Sequence, residues 1–158
     1  MTAAVTARAV TEGSLGAWLV KASPASLRIE EQLRTGFVEI TSRCVRPTYR
    51  IDLIRPQQPV LLWVSGSDRR HPAGIYACGH TTGPVDLDAP SPEMPVRLHA
   101  VEPVIHRDEI LADPMLSGIE VARMPAGSNP SYLDTEQYLA LQEAFPQVRS
   151  AQRLGWNP

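Results

Sequence analysis

Six side chains carry the imidazole or thiol groups that most often ligate a metal or act as base and nucleophile: His71, His80, His99, His106, Cys44 and Cys78. Only Cys78-Gly79-His80 places two of them close in sequence, and no second pair with zinc-type spacing accompanies it. There is no nucleophile elbow, phosphate-binding loop or dinucleotide fingerprint. No metal and no cofactor is therefore expected. A triad assembled only in three dimensions stays open as a hydrolase reading, with Lys21, Tyr49, Arg50 or a His as its members. Cationic chemistry is better represented, because fourteen of the fifteen basic residues are Arg. Arg43, Arg46, Arg50, Arg55, Arg69 and Arg70 lie close together and would form a local basic face, or else an ordinary solvated surface. The formal charge of −2 opposes tight nonspecific binding to a polyanion, since phosphate neutralisation dominates that affinity.

The elements that must position these residues are short. Ala17–Ala22 reads as a buried strand, and Ser23-Pro24 as an N-cap followed by proline at the first helical position. That helix is expected to run along the surface to about Leu33 or Arg34 and to stop at Gly36. Phe37–Val45 reads as a strand, and Arg46–Pro59, interrupted by three prolines, as a loop-rich connection of the kind on which sites are built. Val60–Ser65 and Gly74–Thr82 form a hairpin, and Gly83–Pro95 a surface loop. Pro95–Val104 is a further strand, with Val96, Leu98 and Ala100 on one face and Arg97 and His99 on the other. A short helix is expected from His106 to about Leu111, a brief strand over Ile119–Arg123, and a helix over Asp134–Phe145. In the last of these, Asp134 and Gln137 have capping-box spacing and Pro146 is the stop. The final dozen residues show no period.

With 158 residues and a hydrophobic fraction of 43%, the chain suits one domain with a substantial core. Residues 1–16 read as a disordered tail without the features of a secretory signal, residues 17–145 as the domain, and residues 146–158 as a tail that is packed or disordered. No apolar run reaches the roughly 20 residues that span a bilayer. Two cysteines without a close partner fit a reducing compartment, so a cytoplasmic location is expected. A monomer is the expected state. Short strands without βαβ alternation predict an α+β protein, mostly β: a twisted, largely antiparallel barrel with short decorating helices.

Several segments together carry a resemblance: Ala17-Trp-Leu-Val-Lys-Ala-Ser23, Pro59-Val-Leu-Leu-Trp-Val-Ser-Gly66 with Ala73-Gly-Ile-Tyr-Ala-Cys-Gly-His80, and Gly127-Ser-Asn-Pro-Ser-Tyr-Leu133. In this order the chain resembles the EVE domain of the PUA-like superfamily, which is related to the YTH and ASCH domains. The resemblance covers about residues 17 to 145. It implies a PUA-like barrel and a non-catalytic role in recognising a modified base of DNA or RNA. Trp18, Lys21 and Ser23 look like the family's opening strand and turn, Trp63, Ser65 and Gly66 like its central hairpin, and Asn129 like part of its closing segment. The segment Ser42–Arg46 is similar to one that supplies an aromatic wall in YTH readers, but here Arg43 and Cys44 occupy it.

What the resemblance implies for the site follows the physics of base recognition. Extracting a base costs a few kcal/mol, and stacking on one aromatic ring returns about 1–3 kcal/mol. A guanidinium plane also stacks, so Arg43 could replace the missing ring in part. A methyl mark contributes only about 0.8 kcal/mol by burial, so polar groups must read it as well. Ser23, Ser42, Tyr49 and Asn129 are the candidates, with Arg43 and Arg50 supplying local charge. Core packing is the favoured role for Trp63, whereas a turn before proline and ligand contact stand level for Asn129. An RNA-cleaving hydrolase of the ASCH-like type and a small-molecule-binding module are the alternatives.

Overall fold

The computed structural model describes residues 9–66 and 68–155. The chain is α+β, with a six-stranded mixed sheet curled into a half-barrel and several short helices. The strands are β1 (Leu15–Ala22), β2 (Ser42–Cys44), β3 (Pro59–Val64), β4 (Gly74–Thr81), β5 (Glu93–His106) and β6 (Ser131–Asp134), in the spatial order β2-β5-β4-β3-β1-β6. Every adjacent pair is antiparallel except β1 with β3, which run parallel with Trp18 opposite Val60 and Lys21 opposite Trp63. A parallel pair needs a long crossover, and residues 23–58 provide it.

The central strands read as continuous apolar runs because both faces of the sheet are covered. Trp18, Val20, Val60, Leu62 and Val64 point into one core, which is closed by Leu27, Ile29, Phe37, Ile40 and Ile54. Ala17, Leu19, Leu61, Trp63 and Cys78 point into the other. That second core lies beneath helices α3 (Arg107–Leu111), α4 (Glu120–Arg123), α5 (Thr135–Ala144) and α6 (Pro146–Gly155). Gly79 lets β4 and β5 approach closely, because a Cβ there would meet the Arg97 carbonyl oxygen. Ladder register breaks within this pair: Ile75 faces Ile105, but Ala77 faces Ala100.

Several elements depart from the sequence reading, each for a local reason. The expected helix after Ser23 is two helices, α1 (Pro24–Leu27) and α2 (Ile29–Thr35), separated by Arg28 in the left-handed region at φ 55°. Residues two apart in one helix face different sides, and the break lets Leu27 and Ile29 enter the same core. Phe37 also has positive φ and a fully buried ring, so only Ser42–Cys44 of the expected strand pairs with β5. Ile119–Arg123 is the N-cap and single turn of α4, not a strand. The C-terminal segment forms α6, with Val148, Ala151 and Gln152 buried at helical spacing.

The expected disordered tail is placed from residue 9 onward. Val10 is buried and donates its N–H to Tyr49 Oη at 2.9 Å, and the Thr11 N–H donates to Ser14 Oγ. The first eight residues and the last three lie outside the described residues. Asp134 caps α5 as expected: its carboxylate accepts from the Gln137 N–H at 2.8 Å, and Gln137 Oε1 accepts from the Asp134 N–H at 3.0 Å. No helix among the described residues is long and apolar enough to cross a membrane.

Candidate functional site

A cleft of about 340 Å³ opens where the crossover passes the segment leading into β6. Thr48, Tyr49 and Arg50 form one wall, Gly127–Pro130 the other, and Glu120 and Met124 close it from α4. The first wall is a 3-10 turn over Tyr49–Leu53, whose N-cap Thr48 accepts from the Arg50 N–H through its hydroxyl at 3.3 Å. The opposite wall reaches β6 through an Asn129–Pro130 cis peptide.

Arg50 and Glu120 bind the two walls together. Nη1 donates to Glu120 Oε1 at 2.7 Å and Nη2 to Oε2 at 2.8 Å, while Nη1 also donates to the Pro130 carbonyl at 2.8 Å. The guanidinium carbon lies 5.0 Å from the centre of the Tyr132 ring and 6.0 Å from that of Tyr49, within cation–π range. The hydrogen bond to Glu120 raises the Arg50 pKa above its ordinary value against the cost of burial. Burial alone would raise the Glu120 carboxyl. Hydrogen bonds from Arg50 and Ser131, with the charges of Arg50 and Arg123, outweigh it and hold the group below its ordinary value. Three donors occupy the carboxylate, counting Ser131 Oγ on Oε1 at 2.9 Å, so about one acceptor position is left on Oε2.

Asn129 works as a piece of strand. Its Oδ1 accepts from the Lys21 N–H at 2.8 Å, and its Nδ2 donates to the Lys21 carbonyl at 2.9 Å, continuing the β1–β6 ladder beyond β6. Its own carbonyl accepts from the Arg46 N–H at 2.8 Å and fixes the start of the opposite wall. Lys21 Nζ donates to the carbonyls of Pro125, at 3.2 Å, and Gly127. Burial lowers the Lys21 pKa, with the charge of Glu120 pulling in the opposite direction.

Among the sequence-derived candidates, Tyr49, Arg50 and Asn129 line the cleft and Lys21 braces its rim. The others lie elsewhere. Trp18 is fully buried in one core, where its Nε1 donates to Gln58 Oε1 at 2.7 Å, and Trp63 is buried in the other. Ser23 caps α1 through the Ser26 N–H, and Ser65 donates both its N–H and its hydroxyl to the Ala22 carbonyl. Ser42 donates to Glu93, and Arg43 and Cys44 sit with it on the edge strand β2. Burial lowers the Arg43 pKa, and its Nε is buried without a partner among the described residues. Half of the six clustered arginines are paired with carboxylates: Arg50 with Glu120, Arg55 with Glu12 at 2.6 Å, and Arg70, in the β3–β4 connection, with Glu30 at 3.9 Å.

Sequence reasoning missed Glu120, Ser131 and Tyr132. An acid between Ile119 and Val121 was the available signal, because a carboxylate flanked by core residues needs a partner. That partner, Arg50, is 70 residues away. No group of three or more His, Cys, Asp or Glu is arranged to hold a metal among the described residues. Burial pushes the Cys78 thiol up to about 12, which leaves it inert as a nucleophile. The cleft thus offers a largely apolar lining with an exposed ring, one remaining acceptor and a neutralised cation.

Comparison with known proteins places the fold. The chain is similar to a Rhodopseudomonas palustris protein solved by NMR, with TM-score 0.61 and 11% identity over 84% of this chain and 94% of that one. It is also similar to a hypothetical protein from Leishmania major, with TM-score 0.64 and 13% identity over 88% of this chain and 99% of the other. No family model and no curated protein matches the sequence.

Proposed function

We propose that this chain is a non-catalytic reader of the EVE type within the PUA-like superfamily, a cytoplasmic monomer that holds a modified nucleobase of DNA or RNA in the Arg50–Glu120 cleft. The observation that carries the reading is the shape and chemistry of that cleft. A volume of about 340 Å³ suits one planar heterocycle, and the pocket pairs an apolar slot with few fixed polar groups. Tyr49 supplies an exposed ring for stacking. The remaining acceptor position on Glu120 selects an edge that presents an N–H donor, and the Arg50 fork holds that carboxylate ionised and oriented. Arg50 therefore orients the acceptor, and its charge is already spent on Glu120.

Binding across a panel of modified nucleosides and short oligonucleotides tests the proposal. Tyr49→Ala should weaken binding by about ten-fold or more, in line with the loss of one stacking surface. Absence of binding across the panel, or an unchanged affinity in Tyr49→Ala, would overturn it. Turnover of RNA that disappears in Glu120→Gln would replace it with a hydrolase.

A further inference from the structure

A second cavity, of about 200 Å³, lies between the end of β4 and helices α5 and α6. Among the described residues it is lined by His80, Gln142, Arg149, Gln152 and Arg153, a set with two guanidinium groups and no carboxylate. Arg149 and Arg153 are exposed and stand one turn apart on α6, where like charges repel. The ion pairs among the described residues engage Arg28, Arg50, Arg55 and Arg70, and none engages Arg149 or Arg153. The helix dipole favours cations near a C-terminus, but it does not account for Gln142 of α5 and His80 of β4 converging on the same space. The base of the cavity is fixed. Gln152 is buried, accepts from the Tyr138 hydroxyl, and donates to the Gly79 carbonyl at 3.5 Å.

We propose that this cavity is a phosphate-binding site, separate from the nucleobase cleft, in which Arg149 and Arg153 clamp the anion and the Gln142 amide donates a further hydrogen bond. Two planar forks on one helix face can each give paired donors to a single phosphate, and an anion between them removes their repulsion. The ligand chemistry is a phosphoryl group, carried either by a nucleic-acid backbone or by a small phosphate ester.

Titration of the full chain with inorganic phosphate, followed by backbone amide chemical shifts, tests the proposal. A saturable response centred on α6 and the end of β4, with a Kd on the order of 1 mM or tighter, is expected. The R149Q/R153Q variant, with an unchanged circular-dichroism spectrum, should lose at least ten-fold in affinity, and R149K/R153K should recover part of it. A non-saturable response, or one of equal strength in R149Q/R153Q, overturns the site. Competition then separates the sources: displacement of phosphate by oligothymidylate assigns a polymer backbone, and displacement by a mononucleotide alone assigns a small ester. Tyr49→Ala should leave this titration unchanged, so the phosphate site and the base cleft stand or fall separately.

Discussion

Arg50 and the pair Arg149 and Arg153 show one residue type put to opposite uses. Arg50 is partly buried, spreads over Tyr132, and gives donors to a carboxylate and a carbonyl; its side chain joins two segments of the chain. Arg149 and Arg153 stand exposed on one helix face beside uncharged amides. A cluster of arginines in sequence is therefore a poor guide to a cationic surface. What decides is whether the fold brings a carboxylate to the side chain: it does so for Arg50 and Arg55 of the crossover, and for neither Arg149 nor Arg153 of α6 among the described residues.

The largest effect should come from breaking the partly buried pair. Glu120→Ala leaves the Arg50 charge without its counter-ion and should cost about 3 kcal/mol in urea denaturation. A loss no larger than that of Arg55→Ala would mean that Arg50 behaves as a surface residue and would erase the contrast. Acid dependence sharpens the same point. Because the folded Glu120 carboxyl titrates below its ordinary value, its stabilisation is complete above that value and is lost as pH falls through the folded one. Glu120→Gln should accordingly flatten the acid limb of the stability curve.

Next in size is Asn129→Ala, which strips the Lys21 N–H and carbonyl of their partners and should cost about 1–3 kcal/mol by thermal unfolding. An unaltered melting temperature would show that water replaces the amide without penalty. The smallest effects belong to exposed arginines. Arg55→Ala removes a surface pair and should cost about 0.5 kcal/mol, while R149Q/R153Q should stabilise by about 0.3 kcal/mol in the absence of anion. A clear loss of stability in R149Q/R153Q would show instead that α6 needs its arginines for packing.

The sequence made some of this legible and hid the rest, depending on the range of the interactions involved. The β3–β4 hairpin, the Ser23 cap and the Asp134–Gln137 box are encoded within a few residues, and each was readable. The spacing of Val148, Ala151 and Gln152 also announces α6, but polar neighbours and the nearby chain end masked it. The break at Arg28 and the turn at Phe37 were not readable, because both answer to a core built from distant strands. The same holds for the cleft. Tyr49, Arg50 and Asn129 could be singled out as chemical types, whereas Glu120 has meaning only beside Arg50. Trp18 misled in the other direction, whereas core packing was already the plainer role for Trp63: aromatic rings on inner strands belong to a sheet buried on both faces.

Strand order has a consequence for how the cleft is assembled. Strands β3, β4 and β5 are neighbours both in sequence and in the sheet, so their pairing closes only short loops. The contacts that make the cleft close long ones: Lys21 to Asn129 spans 108 residues, Arg50 to Pro130 spans 80, and Arg50 to Glu120 spans 70. Each doubling of a closed loop adds about 0.6 kcal/mol of chain entropy, and non-local contacts reward the chain only after that cost is met. The cleft thus lies on a seam of the molecule, where distant stretches of chain meet once the central meander has formed.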